Sequence, residues 1–325
     1  MRHIFPGFFD LQVNGFAGVD FNAPGLEPEQ IEEALDHLRR TGVTRCLPTL
    51  ITGPLEAFAR NARLLARTNH PAIAGLHMEG PYLSPHDGPR GAHPADYIIG
   101  ASADNFERRQ DFAEGRIVLV TLAPEVPGAM DLIEHLVARG VRVALGHTAA
   151  NPDQLEAAIA AGATLATHLG NGCAQMLPRH PNAIWTLLAA DDVAASFIVD
   201  GHHLPDVTVK TMIRAKTPSR SILVTDAMAA AGSPPGLYAI GPVRGELDRT
   251  GRVSLPGTPY LAGSALTMPE AIGNTVRFTG LPVTEVAAMA CAVPSRVIGL
   301  PLSGTVLAEW DQTAQRLTVV RVDEA

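Results

Sequence analysis

No apolar run in this sequence is long enough to span a bilayer, which calls for about 20 residues. No charged segment followed by an apolar core marks a secretory leader near residue 1. Basic charge is scarce: 25 Lys and Arg stand against 33 Asp and Glu, giving a net charge of -8. That balance argues against a nucleic-acid surface, so any phosphate site must be locally basic. Cysteines are few and scattered, at Cys46, Cys173 and Cys291. An odd, widely spaced set reads as free thiols and predicts a cytoplasmic protein. Internal repeats and low-complexity segments are missing as well. What remains is a 325-residue chain, 46% hydrophobic, able to bury a large core.

The chain alternates short apolar runs with amphipathic stretches. The runs 8–14, 45–50, 73–79, 117–123, 141–147, 164–169, 195–200 and 222–226 read as strands. Helices are expected over 27–40, 54–68, 103–114, 129–139, 152–161 and 206–215. Strand–helix alternation predicts a parallel sheet, because parallel strands need crossovers. Eight such units predict closure into an α/β (β/α)8 barrel. Punctuation agrees: Glu29, Glu32 and Glu33 sit early in the first helix, Arg39 and Arg40 late, and Gly42 ends it. Asn151-Pro152 reads as an N-cap followed by proline at the first helical position. The Gly- and Pro-rich stretch 232–263 reads as a loop or hairpin excursion. Helices over 269–279 and 284–299 follow, then two strand-like runs, 304–310 and 317–322.

Four apolar runs end in a polar residue that can bind a metal or move a proton: Glu79 in Gly75–Pro81, His147, His168 and Asp226. Strand C-termini converge on one mouth of an α/β barrel, so these four are expected to meet there as a hydrolytic metal site. Taken one at a time, a loop glutamate, two core histidines and a helix-capping aspartate are the ordinary readings.

The sequence resembles the N-acetylglucosamine-6-phosphate deacetylase family of the amidohydrolase superfamily. The resemblance is carried, in order, by Pro6–Gly15, Leu76–Pro85, Arg90–His93, Gly146–Thr148, Thr167–Leu169, Asp200–His203, Thr225–Met228 and Leu261–Met268. It implies a distorted barrel of the amidohydrolase type over residues 1–303, with a reduced small β-domain from the tail, 304–325. It implies removal of an N-acetyl group from N-acetylglucosamine 6-phosphate or a close amino-sugar relative. An unphosphorylated N-acyl amino sugar or another N-acyl amine is the alternative, and a non-catalytic sugar-binding relative a more distant one.

On this resemblance Glu79, His147 and His168 hold one divalent metal, with zinc first and iron, manganese or cobalt as alternatives. One carboxylate and two imidazoles suit such ions and leave a position open for water. Asp226 is the implied general base and later acid, and His93 helps polarise the acyl carbonyl. Many amidohydrolases carry His-x-His at the end of the first strand and hold two metals. Gln12 and Asn14 stand there in this chain, and amides ligate zinc poorly, so one metal is expected. Both are expected near substrate or hydrogen-bonded within the site. Asn171, Gly172 and His203 are implied sugar contacts. Arg179 is the candidate for a phosphate contact, which in the family comes from the neighbouring subunit, implying a homodimer. The loop Gly170-Asn171-Gly172-Cys173 departs from the family's aromatic-Asn-Ala-Met pattern. The family also has roughly fifty residues ahead of its Pro-Gly-Phe motif, where this chain has five.

Overall fold

The structure is a computed structural model that describes residues 1–258 and 260–323. Its centre is an eight-stranded sheet in which each strand lies beside its sequence neighbour. The strands are Phe8–Val13, Val43–Ile51, Leu76–Glu79, Ile117–Leu122, Arg142–Leu145, Leu165–Ala166, Ala194–Phe197 and Ser221–Leu223, numbered one to eight below. All ladders between them are parallel, as the alternation of strand and helix predicts. Strands one, three and six are buried at every position, the pattern of a sheet covered on both faces.

The seam between strands eight and one is closed differently. A single parallel bridge joins Val13 to Ala227, and the Asn14 N–H donates to the Ala227 carbonyl at 2.7 Å. Below that bridge a side chain replaces the ladder. The buried Asp10 carboxylate accepts from the Thr225 hydroxyl at 2.6 Å and from the Thr225 N–H at 3.2 Å. It also accepts from the N–H of Gln12 at 3.2 Å. Burial pushes the Asp10 carboxyl up to about 7, against the pull of these hydrogen bonds.

Helix ends follow the sequence signals. Asn151 and Gln154 form a reciprocal capping box at the start of Pro152–Ala160. Glu27 and Gln30 do the same for Pro28–Arg40, and Gly42 lies beyond its end with φ of +93°.

Four features go beyond the sequence reading. A seven-residue helix, Ala183–Ala189, fills the crossover between strands six and seven. The stretch expected as one helix over 284–299 is two, Val283–Ala290 and Ala292–Ile298, because Cys291 leaves helical geometry at φ -136°, ψ -71°. The excursion after strand eight is a three-stranded antiparallel sheet, Gly236–Ile240, Val243–Leu247 and Val253–Ser254. Finally, the tail strands Thr305–Asp311 and Arg316–Asp323 gain a third partner, Arg2–Pro6, which pairs antiparallel with Thr305–Asp311. Among the described residues no helix is long and apolar enough to cross a membrane.

Candidate metal centre

Glu79 is the last residue of strand three, and its side chain is buried. His147, His168 and Asp226 lie two or three residues beyond the ends of strands five, six and eight. Each has a left-handed backbone, with φ of +50°, +28° and +50°. Few residues outside glycine adopt this region, and such departures cluster at functional sites. There the turn swings each side chain off the pleat and over the barrel mouth. At Glu79 the left-handed residue is the next one, Gly80, with φ of +77°.

One ligand atom each from Glu79, His147 and His168 lie within 4.8 Å of one another. Glu79 Oε1 is 3.0 Å from His168 Nε2 and 3.3 Å from His147 Nε2. Burial alone would raise the Glu79 carboxyl, but hydrogen bonds from His147 and His168 hold it well below the usual range. Burial would likewise depress His168; the bond and charge of Glu79 outweigh it and raise the imidazole.

This donor set fits a divalent ion. Two imidazole nitrogens and one carboxylate oxygen suit a borderline ion such as zinc. The Pro89 carbonyl lies 2.8 Å from His147 Nδ1, which keeps a ring proton there and makes Nε2, the atom facing Glu79, the one that would be offered to a cation. Two glycines flank the same ring. A Cβ on Gly172 would sit 2.8 Å from His147 Nδ1, and one on Gly91 3.1 Å from Cε1. Both also have left-handed backbones, with φ of +56° and +57°. Gly172 therefore sits against a candidate ligand.

His93 stacks edge-on against His147, with Nε2 3.3 Å from His147 Nε2 and 3.8 Å from Glu79 Oε2. Burial, reinforced by His147, drives its pKa down to about 3, so the ring is neutral. The amides of strand one also face the cluster. Gln12 Nε2 donates to Glu79 Oε1 at 3.0 Å, and Asn14 Nδ2 donates to Asp226 Oδ1 at 2.7 Å. Burial, and next the charge of Glu79, raise the Asp226 carboxyl to about 6.

The remaining residues lie toward the rim. His203 Nδ1 is 2.6 Å from Asp200 Oδ2, and Asp200 also accepts from the N–H groups of His202 and His203 at 2.8 Å. Burial would raise Asp200, but the His203 hydrogen bond outweighs it and lowers the carboxyl. Asn171 is half-buried and spends its side-chain N–H on the His168 carbonyl at 3.2 Å, which tightens the loop behind that histidine. Arg179 is exposed. Among the described residues no hydrogen bond or ion pair joins Arg179 to the cluster, and the structure does not bring it into the centre.

Sequence reasoning missed the layer beneath the cluster. His77, buried two residues before Glu79, is held between the Leu11 carbonyl at 3.1 Å and Thr121 Oγ1 at 2.8 Å. Thr121 in turn meets Thr167 Oγ1 at 2.7 Å. Burial lowers His77 to about 4, so it is a neutral strut. Its signal was the inward period of two that it shares with Glu79.

A near-closed parallel barrel with Glu, His and His at its mouth defines the class of metal-dependent hydrolases built on this fold. Residues 3–310 match the model of the amidohydrolase family. The chain is 33% identical to N-acetylgalactosamine-6-phosphate deacetylase of Escherichia coli O157:H7, over 91% of this chain and 78% of that protein. It is 30% identical to N-acetylglucosamine-6-phosphate deacetylase of Lysinibacillus sphaericus, over 96% and 81%. The solved N-acetyl-D-glucosamine-6-phosphate deacetylase of Mycobacterium smegmatis superposes with a TM-score of 0.90 at 33% identity, covering 99% of this chain and 86% of that one. The chain belongs to the amidohydrolase family, within its group of N-acetyl amino-sugar phosphate deacetylases.

Proposed function

We propose that this chain hydrolyses the N-acetyl group of N-acetylglucosamine 6-phosphate, or of its galacto epimer, giving the amino-sugar 6-phosphate and acetate. The convergence of Glu79, His147 and His168 beside Asp226 carries the reading. The deacetylase activities of the relatives support it, as does the solved complex of a Mycobacterium smegmatis variant with N-acetyl-D-glucosamine-6-phosphate.

Glu79, His147 and His168 would hold one divalent ion, with zinc first among the candidates. When bound, such an ion supplies Lewis acidity toward an acyl oxygen and makes water more acidic. Asp226 takes a proton from the attacking water and returns it to the nitrogen as the C–N bond breaks, a role typically worth about 10²–10⁴-fold. His93, neutral and buried, orients the acyl oxygen. His203, fixed by Asp200, and the backbone of Asn171 and Gly172 hold the sugar. Gln12 and Asn14 serve within the site, through Glu79 and Asp226, in place of a second set of metal ligands. Arg179 serves a phosphate on a neighbouring copy in a homodimer. Its exposure, and its lack of any bond to its own centre among the described residues, accord with that. Of the tail 304–325, the described part, residues 304–323, acts with Arg2–Pro6 as a small β-unit beside the barrel; residues 324–325 lie outside the described residues. The three thiols are free and two are buried, in keeping with a cytoplasmic setting.

The test is amine release from N-acetylglucosamine 6-phosphate, its galacto epimer and plain N-acetylglucosamine, with protein of measured metal content. The reading expects about one ion per chain and preference for a phosphorylated sugar. Equal kcat/KM with and without phosphate would move the assignment to unphosphorylated N-acyl amines, which the altered Gly170–Cys173 loop makes the second reading.

A further inference from the structure

Asn14 is 1% exposed and tied to the strand-eight end twice. Its N–H donates to the Ala227 carbonyl at 2.7 Å, and its Nδ2 donates to Asp226 Oδ1 at 2.7 Å. The amide cannot be turned round, because its oxygen would then face a carboxylate oxygen, two acceptors with no proton between them. Asp226 is fixed from the other side as well, its own carbonyl accepting from the Ser264 N–H at 3.2 Å. The Asn14 Oδ1 atom is buried and, among the described residues, has no partner. A buried amide left half-satisfied calls for an explanation beyond packing.

We infer that Asn14 is a positioning residue for proton transfer: by donating to Oδ1 it fixes the plane of the Asp226 carboxylate and reserves Oδ2 as the oxygen that receives and returns the proton. The inference rests on Asp226 being the general base. In the first step a water O–H bond breaks and the proton goes to Oδ2, while the water oxygen's electron pair forms the bond to the acyl carbon and the C=O π pair moves onto the acyl oxygen. In the second, that oxygen's pair re-forms the C=O bond, the C–N bond breaks with its pair staying on nitrogen, and the Oδ2 proton moves to that nitrogen. The Asn14–Oδ1 bond is kept throughout, so the carboxyl does not rotate between the two transfers. Free rotation would let either oxygen take the proton, including the one facing away from the leaving nitrogen. Misplacement by about 1 Å can cost on the order of 10²-fold.

The experiment compares Asn14→Ala, Asn14→Ser and Asp226→Asn with the native chain, on the phosphorylated N-acetyl sugar it hydrolyses. It records kcat, KM, bound metal and melting temperature. The expected result for both Asn14 variants is a kcat lower by about 10–100-fold, with KM within about threefold and metal content unchanged. Serine, which can still present a hydroxyl donor, should lose less than alanine. If Asp226→Asn is inactive while Asn14→Ala keeps its kcat within about threefold, this inference alone is overturned. If Asn14→Ala and Asn14→Ser lose metal in step with activity, Asn14 is part of the metal cradle and the inference is again overturned. Near-native turnover by Asp226→Asn would instead remove the general-base reading beneath it.

Discussion

The floor of the barrel mouth and its rim are built on different terms. On the floor, Glu79, His93, His147 and His168 are all buried, and each touches at least one of the others. The rim segment from Asn171 to His180 runs from half-buried to exposed, with Met176 89% exposed and Arg179 exposed as well. On the proposed function, the chemistry is held by the same core that holds the barrel, and the choice of substrate is left to a loop with little packing to fix it. Loops of this kind tolerate change because few buried contacts depend on them. The departure of Gly170–Cys173 from the family pattern falls on the rim.

Gly172 is where the two regions meet, and the predictions probe that join. The largest effect is expected on the floor. Asp226→Asn should lower kcat by about 10²–10⁴-fold with metal content largely intact. The native enzyme should lose rate as pH falls through the range where Asp226 gains its proton, about 6 in the metal-free protein and lower once a cation is bound. A pH–rate profile showing no acid limb would break that link. Next comes Gly172→Ala. Its methyl would press on His147, so metal affinity, measured by competition with a chelator, should weaken by about 10–100-fold. Unchanged affinity would mean that the rim loop yields and the floor does not feel it.

Smaller still is Arg179→Ala, expected to raise KM for a phosphorylated sugar by roughly tenfold, the scale of one hydrogen bond to a charged group. KM for the plain sugar should not move; an equal rise for both would detach Arg179 from phosphate. The mildest change is Asp10→Asn at the seam. The folded-state pKa of Asp10 is raised from 3.8 to about 7, so its stabilising share is complete below about pH 4 and fades as pH rises to about 7. The asparagine variant should therefore show a flatter melting temperature across that window. An unchanged slope would assign the pH dependence to other groups.

Much of this arrangement was legible in the sequence because it is periodic and local. Eight apolar runs separated by amphipathic helices announce the barrel, and four of those runs end in Glu79, His147, His168 and Asp226. The rest depends on partners far apart in the chain. Arg2–Pro6 finds Thr305–Asp311 some 300 positions away, and nothing in five residues announces such a pairing. The helix Ala183–Ala189 is too short and too uniformly apolar to show a period, although Asn182, which caps it, was a usable signal. Asp10 stood in plain view as a charge inside a buried strand. Its role at the seam follows only once strand eight is known to lie beside strand one. Asn14 and Gln12 were recognisable as replacements for metal ligands, but their targets, Asp226 and Glu79, come from the fold.

The left-handed backbone at His147, His168 and Asp226 narrows what these positions can become. Outside glycine, that conformation is enriched in asparagine, aspartate and histidine. Those three are also a metal ligand, a proton carrier and their uncharged stand-in. Descendants of this chain can therefore exchange one for another at strand ends five, six and eight, retuning ligand charge or removing it, without rebuilding a turn. Branched or bulky side chains are shut out by sterics before selection on activity acts. At strand three the constraint has moved to Gly80, which leaves position 79 free to carry the longer arm of a glutamate.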